Sequence, residues 1–121
     1  MKTIIVVDDD TSVLAAVQRG LAARGFSTQG FQNVKDFHDR TDLDRADCLI
    51  TDLNLDGDSG IDLALQLRSM GHAFPIILVT ASSEEHPRKA ARDAGCDAYI
   101  TKPFSLDVLI DAIEGSSRTQ G

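Results

Sequence analysis

Tryptophan is absent from the 121 residues, tyrosine occurs once and aromatics make up only 5%. Hydrophobic residues still reach 42%, so any core must be built from Leu, Ile, Val and Ala. Helices alternating with short aliphatic strands use such a set well, and the length fits one domain. Cysteine is scarce too. Cys48 and Cys96 form no C-x-x-C pair, which leaves no zinc-type ligand set; each borders an aliphatic run and reads as a buried, reduced thiol. Positive charge is in the minority, with 12 basic against 19 acidic residues and a net charge of -7. That argues against a direct grip on a nucleic-acid backbone, and it means that a cluster of carboxylates needs a cation. No apolar stretch approaches the ~20 residues of a membrane span. Met1-Lys2-Thr3 leads straight into a four-residue apolar run and then acids, so no secretory leader is expected and the location expected is cytoplasmic.

What is present alternates between two periodicities. Aliphatic runs stand at Ile4–Val7, Cys48–Ile50, Ile76–Val79 and Ala98–Ile100, with a weaker strand candidate at Phe26–Gln29. Between them lie helical spacings. Val13, Val17 and Leu21 share one face, ending at Gly25. Val34, Phe37 and His38 mark a second helix behind an Asn33 N-cap. Ile61, Ala64, Leu65 and Arg68 mark a third, stopping near Gly71. Ala90, Ala91 and Ala94 give a fourth a thin apolar face, and proline's first-turn preference places its start at about Pro87. Leu106, Leu109 and Ile113 form the last, capped by Ser105. Strands alternating with helices predict an α/β fold with a parallel sheet covered on both faces, a single doubly wound (βα)5 domain of flavodoxin-like architecture. Five strands point to the order 2-1-3-4-5. Residues 1–115 are expected to form the domain, and 116–121 a polar tail or the start of a linker.

Four strands end in chemically useful residues. The first runs into Asp8-Asp9, the third ends at Asp52, the fourth at Thr80, and the fifth leads through Thr101 to Lys102. In open α/β sheets the ligand site lies outside the carboxyl ends of the strands, so these groups are expected to converge. Three carboxylates within ~5 Å repel by several kcal/mol per pair at an effective dielectric near 20. A hard divalent cation resolves this, and Mg2+ takes few carboxylates plus phosphate oxygens. Lys102 adds a positive charge and Thr80 a hydroxyl, a set suited to a transferring phosphoryl group. Asp52, at the centre, fits the nucleophile of an aspartyl phosphate.

With Val7-Asp8-Asp9, Thr51-Asp52-Leu53, Gly60 eight residues after Asp52, Val79-Thr80-Ala81 and Lys102-Pro103-Phe104 in order, the chain resembles the receiver domains of two-component response regulators from end to end. Its flanks look closest to the nitrogen-fixation and LuxR-type subgroup. The resemblance implies a phosphorylation-activated switch, not an enzyme in its own right, although it assists its own phosphorylation and dephosphorylation. Asp52 accepts the phosphoryl group from a sensor histidine kinase or a histidine phosphotransfer protein. Asp8, Asp9, Asp52 and the Asn54 backbone carbonyl hold Mg2+ or Mn2+, Asp9 directly and Asp8 through water. Lys102 pairs with the phosphoryl group and precedes a cis bond to Pro103. Thr80 moves toward the phosphate, Tyr99 turns inward after it, and the surface of helix 4, strand 5 and helix 5 changes. That surface then controls an output domain of transcriptional type, or a partner. DNA is reached only through such an added domain; homodimerisation on phosphorylation is expected, and contact with a membrane is not.

Other readings stand beside this one. A second reading, of another class, is a stand-alone adaptor that binds a partner protein. Asp8-Asp9-Asp10 after a strand also resembles the opening motif of haloacid-dehalogenase-type phosphatases, with Asp8 as nucleophile and Asp10 as acid/base; that reading leaves Asp52 unused and lacks a late acidic pair. Asp52-x-Asn54-x-Asp56-Gly57 opens like a calcium EF-hand loop but has Leu63 where the bidentate Glu belongs and a strand in front. Asp10 reads better as a helix cap, and His38, His72 and His86 as solvated residues. Arg88, Lys89 and Arg92 read as a solvated basic face. Asp56 stands where the family usually has proline, expected to free the loop backbone. Asn54 and Ser82 are expected to flank the path of hydrolytic water.

Overall fold

The computed structural model describes residues 2–40, 42–81 and 85–117. Five strands, β1 (Thr3–Val7), β2 (Ser27–Phe31), β3 (Cys48–Asp52), β4 (Ile76–Thr80) and β5 (Ala98–Thr101), form one sheet. All neighbours are parallel, as the alternation of periods predicts, and they stand in the order β2-β1-β3-β4-β5 expected for five doubly wound strands. Five helices connect and follow them: α1 (Thr11–Ala23), α2 (Val34–Arg40), α3 (Gly60–Ser69), α4 (Glu85–Asp93) and α5 (Leu106–Ser117).

The continuous aliphatic strands supply side chains to both faces, because successive residues alternate. Ile4, Val6, Ile50, Ile77 and Val79 point to one side, where Leu14, Val17 and Leu21 of α1 meet Leu109, Ile110 and Ile113 of α5. Ile5, Val7, Leu49 and Ile76 point to the other, against Phe37 of α2 and Leu63, Ala64 and Leu67 of α3. Among its described side chains α4 buries only Ala91, with Ala94 just past its end. Caps fall where expected: the Asn33 side chain accepts from the Asp36 N–H at 2.7 Å, and Ser105 from the Val108 N–H at 3.2 Å.

Four details differ from the sequence reading. β2 lies slightly later than Phe26–Gln29, because its register is set by pairing with β1, from Thr3 opposite Ser27 to Val7 opposite Phe31. As an edge strand carrying Thr28, Gln29 and Gly30 it has no apolar signature to mark it. α4 starts at Glu85, which puts Pro87 inside the first turn rather than at its head. Leu65 is not a core residue: it is 50% exposed, since Leu63, Ala64 and Leu67 already fill the buried face of α3. α5 runs to Ser117, into the stretch read as tail, and residues 118–121 lie outside those described.

The sequence reading contains neither the 3-10 turn Leu43–Arg45 nor a short hairpin after β3. Asn54–Leu55 pairs antiparallel with Asp58–Ser59 across Asp56-Gly57. Asp56 has φ 44° and Gly57 φ 95°, the paired positive values of a two-residue hairpin turn that favours Asp-Gly. The backbone at Asp56 is therefore committed to a left-handed turn rather than freed, and a proline, locked near -65°, cannot adopt it.

Candidate functional site

The carboxyl ends of β1, β3 and β5 bring the acids and the lysine together. Asp8 follows β1 and is buried; its N–H is donated to the Phe31 carbonyl at 3.0 Å, which extends the sheet by one residue. Asp52 closes β3 and is also buried, while Asp9 is exposed at the rim. One oxygen from each of Asp8, Asp9 and Asp52 lies within 4.8 Å of the others. The Lys102 ammonium donates to Asp52 Oδ2 at 2.7 Å and reaches Asp8 Oδ2 at 3.4 Å. The second oxygen of Asp52 accepts the Asn54 N–H at 3.0 Å, and that of Asp8 the Asp10 N–H at 2.9 Å.

Backbone geometry fixes these groups. The Lys102 N–H is donated to the Thr80 carbonyl at 2.7 Å and the Leu53 N–H to the Val79 carbonyl at 2.8 Å. The Lys102–Pro103 bond is cis, as the resemblance implies. Gly60 starts α3 against the back of the site. Its N–H is donated to the Leu53 carbonyl at 2.8 Å, and a Cβ there would collide with the Asp52 carbonyl oxygen. Glycine at this position is thus a matter of space.

The electrostatics follow from burial. Desolvation pushes the Asp8 carboxyl above its ordinary range, and the neighbouring Asp52 charge adds to this, against the Asp10 N–H and the Lys102 charge. For Lys102, burial pulls downward, but the hydrogen bond and charge of Asp52, with those of Asp8, outweigh it and hold the ammonium above its usual value. Three carboxylates and one ammonium leave an excess of negative charge. At an effective dielectric of 20, two charges 4.8 Å apart repel by about 3.5 kcal/mol. A divalent cation fits both the spacing and this deficit.

Thr80 is fully buried at the end of β4, one residue beyond Val79, the partner of Asp52. Tyr99 is not part of the acidic cluster. It lies half-buried on β5 opposite Leu78, with the Arg88 guanidinium 4.6 Å from its ring centre. Arg88 reads from the sequence as part of a solvated face, and the contact arises only because α4 and β5 are brought together. The Asn54 and Asp10 backbone donors were likewise unread, although the short-range Asp-x-Asn and Asp-x-Asp spacings carry a signal for such turns. Pro103 is exposed, as are Asp56 and Asp58 at the hairpin tip. Ser82 lies outside the described residues.

The rival chemistries lose their footing. The Asp10 carboxylate caps α1 through the N–H groups of Ser12 and Val13 at 3.0 and 3.2 Å, so it is committed away from the acid/base role of the phosphatase reading. Asn54 to Ser59 form a hairpin, not a calcium loop. Cys48 is buried and Cys96 half-buried, both free; burial pushes their thiols up to about 12 and about 11. His38 is exposed beside Gln66, and His72 stacks on Phe74, while the side chain of His86 is outside those described. No helix among the described residues is long and apolar enough to cross a membrane.

The chain is similar to known proteins. The chain is 36% identical over 107 residues to the response regulator MprA of Mycolicibacterium vanbaalenii, a match covering 88% of this chain and 46% of the relative. It thus spans about half the length of the curated relatives it matches. The BeF3-activated receiver domain of DrrB superposes with a TM-score of 0.86 at 27% identity, covering 98% of both chains. A response regulator protein from Burkholderia pseudomallei, solved with a phosphorylated aspartic acid, a calcium ion and citrate, has the same fold, with a TM-score of 0.86 at 24% identity over 99% of this chain and 71% of that one. The family model for the response regulator receiver domain matches residues 4–114. These matches favour neither the phosphatase nor the adaptor reading; the chain belongs to the response regulator receiver domain family, the phosphorylation-activated switches of two-component signalling.

Proposed function

We propose that Asp52 is the phosphoacceptor of this switch, served by a divalent cation, Mg2+ or Mn2+, at Asp8, Asp9, Asp52 and the Asn54 carbonyl. The observation that carries this reading is the 2.7 Å contact of Lys102 with a buried Asp52 whose neighbours Asp8 and Asp9 lie within 4.8 Å. A carboxylate oxygen of Asp52 attacks phosphorus, an O–P bond forms, and the bond to the donor breaks with its electron pair leaving on the histidine nitrogen of a sensor kinase or phosphotransfer protein. The cation, when bound, offsets charge on the phosphoryl oxygens. Lys102 neutralises the same oxygens and keeps its proton, because its partners hold its pKa high. Thr80 donates its hydroxyl to the phosphoryl group, and Asn54 stands at the approach of hydrolytic water.

Movement of Thr80 and then of Tyr99 shifts a two-state equilibrium and alters the α4–β5–α5 surface. The module expected over residues 1–115 extends through α5 to Ser117 in a cytoplasmic protein, and the stretch after it leads to an output domain of transcriptional type that reaches DNA, with homodimerisation on phosphorylation. Incubation with an acyl-phosphate donor and Mg2+ tests the core of the reading. Wild type gains one phosphoryl mass and Asp52→Asn does not; equal labelling of the two refutes the assignment. Lys102→Ala is expected to uncouple phosphorylation from output, so signalling that survives it refutes the role of Lys102.

A further inference from the structure

Tyr99 is the only tyrosine of the chain, and its ring lies under the Arg88 guanidinium at 4.6 Å. Both residues line a groove of about 280 Å3 between α4 and β5, with Ala91, Arg92 and Ala98. Arg88 is exposed on α4, while Tyr99 is half-buried on the strand. α4 is lightly anchored: Ala91 is buried along it and Ala94 just past its end. Its far end is tied instead by Arg68, which donates twice to the Gly95 carbonyl, at 3.1 and 2.9 Å. A contact between the free part of α4 and the ring therefore has leverage on both.

The attraction of a cation to a ring face acts only within about 6 Å of the centroid. A change of rotamer at the first side-chain torsion of Tyr99 carries the ring out from under Arg88. The contact thus belongs to one position of the ring. We propose that Arg88 is a positioning residue for Tyr99: its guanidinium holds the ring in the α4–β5 groove and weights the equilibrium against the inward-turned state. The proposal rests on the reading of Tyr99 as the residue that follows Thr80. A contact that stabilises one state by this interaction alone changes the ratio of the two states roughly two- to fivefold. Any ligand of Asp52 that prefers the inward state binds more tightly by a similar factor once the contact is lost, provided that state is the minor one.

Ring-labelled tyrosine makes the test direct, because a single residue reports in the magnetic resonance spectrum. Wild type, Arg88→Lys and Arg88→Met are compared with and without Mg2+ and beryllofluoride as the phosphoryl mimic. Arg88→Met keeps the aliphatic stem and removes the charge. In the absence of the mimic its tyrosine signal is expected to move toward the position seen in the mimic-bound wild type. Its affinity for the mimic should rise roughly two- to fivefold, and Arg88→Lys should stay near wild type. A signal in Arg88→Met that coincides with wild type overturns the proposal, as does an Arg88→Lys signal displaced as far as that of Arg88→Met. If the wild-type tyrosine ignores bound mimic, the switch role of Tyr99 itself fails; a responsive wild type with a silent Arg88→Met removes Arg88 alone.

Discussion

Replacing Gly60 by alanine adds one methyl group at a place where the backbone of Asp52 already stands. The new Cβ would collide with the Asp52 carbonyl oxygen and sit 2.9 Å from Leu78 Cδ1 and 3.1 Å from the Asp52 carbonyl carbon. The leucine tip can yield, but the carbonyl belongs to β3, between β1 and β4 in the centre of the sheet. The strain must then be taken up by α3 or by Asp52 itself. Overpacking of this kind costs about 1–3 kcal/mol. With about 2.1 cal/mol/K of unfolding entropy per residue over 121 residues, each kcal/mol lowers Tm by roughly 4 °C, so a fall of roughly 4–12 °C is expected. Displacing Asp52 by a fraction of an ångström should also slow acyl-phosphate labelling, on the order of tenfold or more given that 1 Å can cost about a hundredfold. Gly57→Ala is the control. Nothing lies within 4 Å of its Cβ, and only its φ of +95° is unfavourable, so it should lose about 1–2 kcal/mol and label normally. Thermal or urea denaturation gives the stabilities, and the mass gained over time gives the labelling. A Gly60→Ala protein within about 0.5 kcal/mol of wild type that labels at the wild-type rate refutes the packing argument.

Lys102→Ala removes the cation from two buried carboxylates, and urea denaturation at pH 7 should show a loss of about 2 kcal/mol after allowance for the partly exposed lysine. That loss should shrink as pH falls and the carboxylates protonate; a loss independent of pH would show that the ammonium does not act through them. Asp8, with its pKa raised by burial, favours the fold while protonated, and this contribution fades as pH rises through its folded-state pKa. Mg2+ competes with that proton, so its thermal shift, worth about 1.4 kcal/mol at ten times Kd, should shrink as pH falls toward the folded-state pKa of Asp8 and should vanish in Asp9→Asn with Asp8→Asn. A Mg2+ shift insensitive to both substitutions places the metal elsewhere. Asp56→Asn should leave stability within about 0.5 kcal/mol, since the turn accepts Asn-Gly, whereas Asp56→Pro should cost 1 kcal/mol or more because the ring forbids φ 44°. Equal urea midpoints for the two would remove the turn argument.

Much of the site was legible because its chemistry sits at strand ends, and strand ends in a parallel sheet share an edge. Asp8, Asp9, Asp52, Thr80 and Lys102 are each marked by the end of an aliphatic run, and Asp10 and Ser105 by the start of a helical period. What local patterns carry, they carried. Leu65 escaped because helical spacing shows which residues share a stripe, not how wide the covered stripe is. Arg88 escaped because its partner is on another element. The turn at Asp56-Gly57 had a readable signal, but its flanking strands are only two residues each, too short for any period.

The order of elements, the division of aliphatic side chains between two sheet faces and the kinds of group at the site are properties of the chain as written. They follow from periodicities of two and 3.6 residues and from backbone capping, all of which act over a few positions. The tertiary structure alone decides that Lys102 bonds Asp52 closely and Asp8 more loosely, 50 and 94 residues away, and that burial raises the Asp8 pKa. It also decides that Arg88 covers the single tyrosine. Distances between groups far apart in sequence depend on sheet register and helix placement, and desolvation depends on every atom that excludes water. Neither quantity is written in any short stretch of the sequence.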